Sequence, residues 1–328
     1  MKDTLLELLV CPSCKNTLKP QAGHFIDNEI ISGILKCDDC SCTYPIKNGI
    51  PRFVPAENYA NNFGLQWNRF SKTQLDSNSR LPISKQRLFD STGWDWAAMK
   101  GKRVLDVGCG SGRFAEVALQ AGADVVAIDY SSAVDAARAN LSSYKNFEVI
   151  QASVFDLPFR AGSFDYVYCL GVLQHTPDPA KAFAALPAQL RAGGRLAVDV
   201  YPFLLRNILW SKYWLRPITK RMSGPALMQM VERAVPSLLT VSRCVSAIPV
   251  VGKKLKYLLP VANYEGVYNL SESQLKEWAI LDTFDMLSPE HDHPKSARTL
   301  AHWFDDAGLV GVQVFRKGHL IGRGEKPE

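Results

Sequence analysis

Two C-x-x-C pairs, Cys11-Pro-Ser-Cys14 and Cys37-Asp-Asp-Cys40, stand 22 residues apart near the start of the chain. Four thiolates at such a spacing close a tetrahedral zinc site with no open position, so the metal would be structural. A set of reduced, buried thiols is the alternative. Cys42 competes as a ligand, but the pair spacing favours Cys40. A second constellation is Asp106-Val-Gly108-Cys-Gly110-Ser-Gly112, an apolar run entering three glycines at alternate positions. Glycine has no Cβ to keep a ligand off the backbone, and the helix that follows aims free N–H groups at it. Seventeen residues past Gly112, Asp129 ends the run Val125-Val-Ala-Ile128. A carboxylate at the tip of a second strand can accept both hydroxyls of a ribose, and the ring of Tyr130 can lie against a flat base. The competing reading makes Asp129 only a cap for the next helix.

These residues need elements to hold them. Apolar runs at 103–107, 124–128, 147–151, 164–169 and 194–200 read as strands, with helices near 112–121, 132–142 and 179–191. Such alternation predicts a parallel sheet with helices on both faces. A helix at about 296–307 and a hairpin of 310–316 and 319–323 close the chain. The fold class expected is α/β: a Rossmann-like, doubly wound seven-stranded sheet with a small N-terminal zinc ribbon and a helical insert. The composition divides the chain into a ribbon-like domain (1–55), a nucleotide-binding domain (56–201 and 262–328) and an insert (202–261). Residues 56–100, with Trp67, Trp94 and Trp96, read as helices and loops leading to the first strand.

The glycine turn is not the Gly-x-Gly-x-x-Gly of nicotinamide binders. It resembles motif I of class I S-adenosylmethionine (SAM) dependent methyltransferases. The resemblance continues through Phe147-Glu-Val-Ile-Gln-Ala-Ser153-Val154, Ser163-Phe-Asp165-Tyr-Val-Tyr-Cys-Leu170-Gly171-Val-Leu-Gln174-His175 and Gly193-Gly194-Arg-Leu-Ala-Val-Asp-Val200. The run 103–200 is similar to the ubiquinone-biosynthesis-type group, and the terminal hairpin fits the family's antiparallel last strand. The resemblance implies that Asp106 faces the amino-acid half of SAM and that Gly108, Gly110 and Gly112 pass under it. It further implies that Asp129 and Tyr130 hold the ribose and adenine, and that Ser153 and Val154 frame the adenine. Ser153 stands where the family usually has an acid, so it offers one uncharged acceptor. Leu170 and Gly171 would line the methionine portion. Methyl transfer from a sulfonium is an in-line displacement that chiefly needs alignment and exclusion of water. His175, at the tip of the fourth strand, is the base candidate, and ordering of the loop before Pro177 is its other reading.

Leu5-Leu-Glu-Leu-Leu-Val-Cys11-Pro-Ser-Cys14 and Cys40-Ser-Cys42-Thr-Tyr44-Pro-Ile-Lys-Asn-Gly49-Ile-Pro51 resemble the short zinc-ribbon domain that activates several RNA and protein methyltransferases. A unit of that size needs a staple, which zinc supplies. The net charge is +6, yet residues 202–261 hold ten basic residues against Glu232 alone, +9 there and −3 elsewhere. Outside the insert the chain does not read as a nucleic-acid binder. The insert reads as a lid over a lipid-like or anionic acceptor, as a peripheral membrane contact, or as a packed helical subdomain. The segment Asp282–Pro294 has loop composition. The N-terminus is a poor signal peptide, and no run of about 18 uncharged apolar residues is present. A cytoplasmic protein, with membrane association through the insert, is the expectation. The function expected is methyl transfer from SAM to a small or lipid-linked metabolite. The alternatives are an RNA methyltransferase with a zinc module and a non-catalytic SAM-binding scaffold.

Overall fold

The structure is a computed structural model that describes residues 1–27, 29–204, 210–250, 252–255 and 258–328. Arg206 and Lys256 of the basic insert lie outside the described residues. Strands β1 (Leu18–Ile26), β2 (Glu29–Cys37), β3 (Thr43–Lys47) and β4 (Ile50–Pro51) pair antiparallel in the order β1-β2-β3-β4. Seven further strands form a second sheet. They are β5 (Arg103–Val107), β6 (Asp124–Asp129), β7 (Phe147–Gln151), β8 (Phe164–Cys169), β9 (Leu190–Val200), β10 (Val310–Lys317) and β11 (His319–Glu325). Their order is β10-β11-β9-β8-β5-β6-β7. Strands β5 to β9 run parallel, whereas β11 is antiparallel to β9 and to β10. The central strands are largely buried on both faces and so read as mainly apolar runs. The chain winds outward from β5 to β7 and then returns to β8 on the other side. That reversal opens a crevice at the carboxyl ends of β5 and β8, the place where such sheets bind ligands.

One expected helix is shorter than its pattern. The stretch 179–191 is helical only over Pro179–Ala184, and β9 begins at Leu190, four residues before the expected 194. Pro187 explains the stop: its ring would clash with a carbonyl one turn back, and it has no N–H to donate.

The small sheet is welded to the large one. Arg52 bridges Gln151 in parallel, Phe53 N–H donates to Gln151 O at 2.8 Å, and Leu9 bridges Phe159. Met1, Leu5, Leu9 and Leu35 share one apolar core with Leu105, Ile128, Ile150 and Phe159. In the insert, helices Ser211–Thr219 and Gly224–Ser246 pack with helix Glu272–Leu287. Val231, Val235 and Leu239 meet Ile280, Phe284 and Leu287 in a separate core. The start of the segment read as loop, Asp282 to Leu287, is therefore the last part of a helix, one that opens with a Ser271–Gln274 capping box. Among the described residues no helix is long and apolar enough to cross a membrane.

Candidate active site

The turn after β5 is held from β6: Gly108 and Cys109 N–H both donate to Ile128 O, at 2.8 and 2.9 Å. Gly108 has φ +82°, and a Cβ there would lie 2.3 Å from the Val172 side chain. Gly112 serves packing instead. At φ +91° its Cβ would meet Leu141 Cδ1 at 2.6 Å, so this glycine lets helix Ala133–Leu141 approach and does not face the crevice. At the tip of β6, Asp129 Oδ2 accepts from Gly110 N–H at 2.9 Å, and Oδ1 accepts from Ser131 N–H and Oγ at 2.8 and 2.7 Å. Burial raises the Asp129 carboxyl above the usual range, with the Ser131 and Gly110 bonds opposing it. The side-chain cap reading does not describe it. Helix Ala133–Leu141 has Ser132 at its N-cap, and Asp129 holds Ser131.

A cavity of about 400 Å³ opens here, ordinary for a small-ligand site. Gly108, Gly110, Asp129, Tyr130, Leu170 and Gly171 form its sheet side. Helix Asn61–Arg69 contributes Phe63 and Trp67, and Tyr59 sets its ring 4.9 Å from that of Tyr130. Helix Glu272–Leu287 closes the far side with Trp278, Asp282 and Asp285. Asp282 accepts from Tyr264 Oη and from Gln74 Nε2; burial pushes its carboxyl up to about 7.

Besides Gly112, three residues expected at the cofactor do not line this cavity. Asp106 is 1 % exposed, buried behind the turn near Tyr168, and burial pushes its carboxyl up to about 8. Its neighbours there are Tyr168 and the backbone of Ala115, at the start of helix Arg113–Gln120. Ser153 Oγ accepts from Phe155 N–H at 3.1 Å, capping the short turn Val154–Asp156, and Val154 is buried in the core shared with the ribbon. Local capping captures the serine oxygen.

Two cavity arginines went unread. Arg87, on helix Ile83–Thr92, pairs with Asp199 Oδ2 at 2.9 Å, and the other Asp199 oxygen accepts from Gly171 N–H. Arg113 donates to Gln74. Asp199, an acid inside the apolar run of β9, was the available signal for a buried partner.

His175 is 6 % exposed at the cavity edge. Its Nδ1 lies 3.0 Å from His291 O, and its ring packs 5.3 Å from Phe63 and 5.4 Å from Tyr201. A carbonyl only accepts, so Nδ1 carries the proton and Nε2 the lone pair. Burial holds the ring below the ordinary histidine value.

The Sγ atoms of Cys11, Cys14, Cys37 and Cys40 all lie within 4.8 Å of one another. Cys11 and Cys40 are 3.5 Å apart, and Cys14 and Cys37 are 3.4 Å apart. A tetrahedron with Zn–S near 2.3 Å needs sulfurs about 3.8 Å apart, so the donor set fits zinc. Cys42 is not in this group; its Sγ lies 3.9 Å from Ser13 Oγ. Tyr44 Oη lies 3.3 Å from Cys11 Sγ, where it can orient a ligand thiolate.

The strand order and the crevice define an α/β protein with the class I methyltransferase fold and an N-terminal ribbon. Residues 105–198 match the family described as methyltransferase domain, and residues 2–49 match the Trm112p-like protein family. The two matches follow one another along the chain, the Trm112p-like stretch first and the methyltransferase-domain stretch after it. It is similar to a ubiquinone biosynthesis O-methyltransferase of Aromatoleum aromaticum, 41 % identical over 31 % of this chain and 47 % of that protein. A protein of the same description from Acinetobacter baumannii is 38 % identical over 37 % of this chain and 55 % of its own length. The chain therefore spans about half the length of these curated relatives. A solved O-methyltransferase family protein from Burkholderia thailandensis aligns with TM-score 0.46 at 12 % identity, over 82 % of this chain and 71 % of that one.

Proposed function

We propose that the protein is a SAM-dependent methyltransferase acting on a small-molecule acceptor that is lipid-linked, with zinc as a structural staple of its ribbon. The observation that carries this reading is Asp129, bonded to Gly110 N–H and lining the cavity wall with it at the tips of β6 and β5. When bound, SAM supplies an electrophilic methyl. The chain's own residues do the rest. Asp129 accepts the ribose hydroxyls and Tyr130 lies along the adenine. The Gly108–Gly110 backbone and Leu170–Gly171 let the cofactor sit low. Arg87, held by Asp199 on the cavity wall, would pair with the cofactor's carboxylate. Phe63, Trp67 and Trp278 exclude water. His175 Nε2 takes the acceptor's proton as its oxygen or nitrogen attacks.

Peripheral membrane contact through 202–261 belongs to the same reading. Trp214 is 67 % and Ile218 65 % exposed on one helix, beside exposed Lys220 and Arg221. Lys212 and Arg216, by contrast, are buried on Asp292 and act within the fold.

Calorimetry with SAM and with its demethylated product tests the cofactor. Binding of both supports the reading, and uptake of a nicotinamide dinucleotide in their place overturns it. Incubation with labelled SAM and cell extract, read by mass spectrometry, should give a metabolite heavier by one methyl. Flotation with anionic liposomes at low salt tests the membrane contact.

A further inference from the structure

The wall of the first cavity is shared. Tyr201, Ala262, Tyr264, Met286 and His319 also line a second cavity of about 420 Å³. The rest of that cavity comes mainly from the insert and its flanks, including Leu204, Leu259, Val261 and Val267. Its cations are Lys212 and Arg316, and Ser211, Ser242 and Asn263 add uncharged polar groups to the lining. Lys212 Nζ is 3.2 Å from Asp292 and lies over the rings of Tyr201 and Tyr213 at 4.8 and 4.7 Å. Arg316 is exposed. His319 stacks on Tyr201 in the partition and, with burial and Arg87 pushing its value down to about 4, stays neutral.

We infer that the second cavity is a tail-binding site, which holds an unbranched or isoprenoid hydrocarbon chain carried by the methyl acceptor while the acceptor's polar head occupies the first cavity. This rests on the methyltransferase reading and narrows its substrate class. Three observations carry it. The two cavities have five wall residues in common, so they adjoin across one layer of side chains. The second cavity is lined by Leu204, Leu259, Val261, Val267 and Met286 together with aromatic rings, and its buried cation Lys212 is paired with Asp292, which suits a chain over a charged guest. Half of its lining residues come from the insert, and all of them lie outside the matched methyltransferase stretch.

The test uses the full chain saturated with SAM and a series of straight-chain alkanols from hexanol to dodecanol, followed by calorimetry. Each added methylene should tighten binding about fourfold until the cavity is full, after which affinity levels off. Val267 is 58 % exposed, so Val267→Trp narrows the cavity at little risk to folding, and Leu259→Glu puts a charge in its wall. Each should weaken dodecanol binding at least about tenfold and leave SAM affinity unchanged. Affinity independent of chain length, or variants that bind dodecanol like the parent, overturns the tail site. Loss of SAM binding by the parent protein overturns the methyltransferase reading instead, so the two failures are distinguishable.

Discussion

Gly110 N–H reaches Asp129 Oδ2 at 2.9 Å, joining the turn after β5 to the tip of β6. The same carboxylate holds Ser131 through its other oxygen, so it is fixed before any ligand arrives. That pre-organisation lowers the ordering cost of binding. Asp129→Ala removes the carboxylate proposed to accept the ribose and frees the turn together. SAM affinity should fall roughly 100-fold, the value of two charge-assisted hydrogen bonds. Calorimetry checks it, and a variant that binds SAM like the parent removes Asp129 from the site.

The ribbon makes a prediction about metal content. One zinc per chain should be found by elemental mass spectrometry, held by Cys11, Cys14, Cys37 and Cys40. Cys14→Ser should release it, whereas Cys42→Ser should keep it, because Cys42 stands outside the sulfur group. Since the ribbon shares its core with β5 to β7, metal loss should lower the melting midpoint of the whole chain by more than about 5 °C. Equal zinc retention in both variants contradicts the ligand assignment.

The parts legible in the sequence were those set by local pattern. β5, its glycine turn and Asp129 sit within 27 residues, and each glycine φ follows from steric need. The cysteine pairs were legible for the same reason. Long-range partnerships were not. Arg87 finds Asp199 across 112 residues, and no spacing rule joins them. Asp106 and Ser153 had the right types at the right positions, but side-chain direction decided their surroundings. Asp106 is buried beside Tyr168, and Ser153 caps its own backbone. The end of helix Glu272–Leu287 was hidden because burial against the insert, and not amphipathic period, holds it.

The basic insert is where charge count misled most. Asp292 accepts Lys212 at 3.2 Å and also pairs with Arg216, and all three side chains are at most 8 % exposed. Despite burial, Arg216 and Lys212 hold the Asp292 carboxyl below its ordinary value. Its folded value is depressed, so its contribution to stability is present at neutral pH and is lost as pH falls through that value. Asp292→Asn leaves two buried cations without a counter-charge. It should cost about 3–5 kcal/mol in urea unfolding at neutral pH, and the difference from the parent should shrink in acid. A cost below about 1 kcal/mol would mean that these cations are solvated, as surface pairs are.

His175 joins the two halves of the site, since its Nδ1 donates to His291 O on the segment that follows helix Glu272–Leu287. That bond fixes the tautomer, and Nε2 is the free base. Burial is the largest influence on the ring and lowers its value from 6.5, so the neutral, base-competent form persists in mild acid. The methyl-transfer rate should therefore stay level through pH 6.5 and fall only at a lower, depressed value. Stability follows the same sign: the unfolded ring takes a proton first, so folding weakens as pH drops below 6.5. His175→Gln preserves a polar side chain but not a base, and should lower kcat about 10²–10⁴-fold with SAM affinity unchanged. A loop-ordering role predicts the reverse, a loss of melting temperature with kcat retained in the folded fraction. The pH profile separates the two, because only a base takes the acid limb away with it when it is replaced.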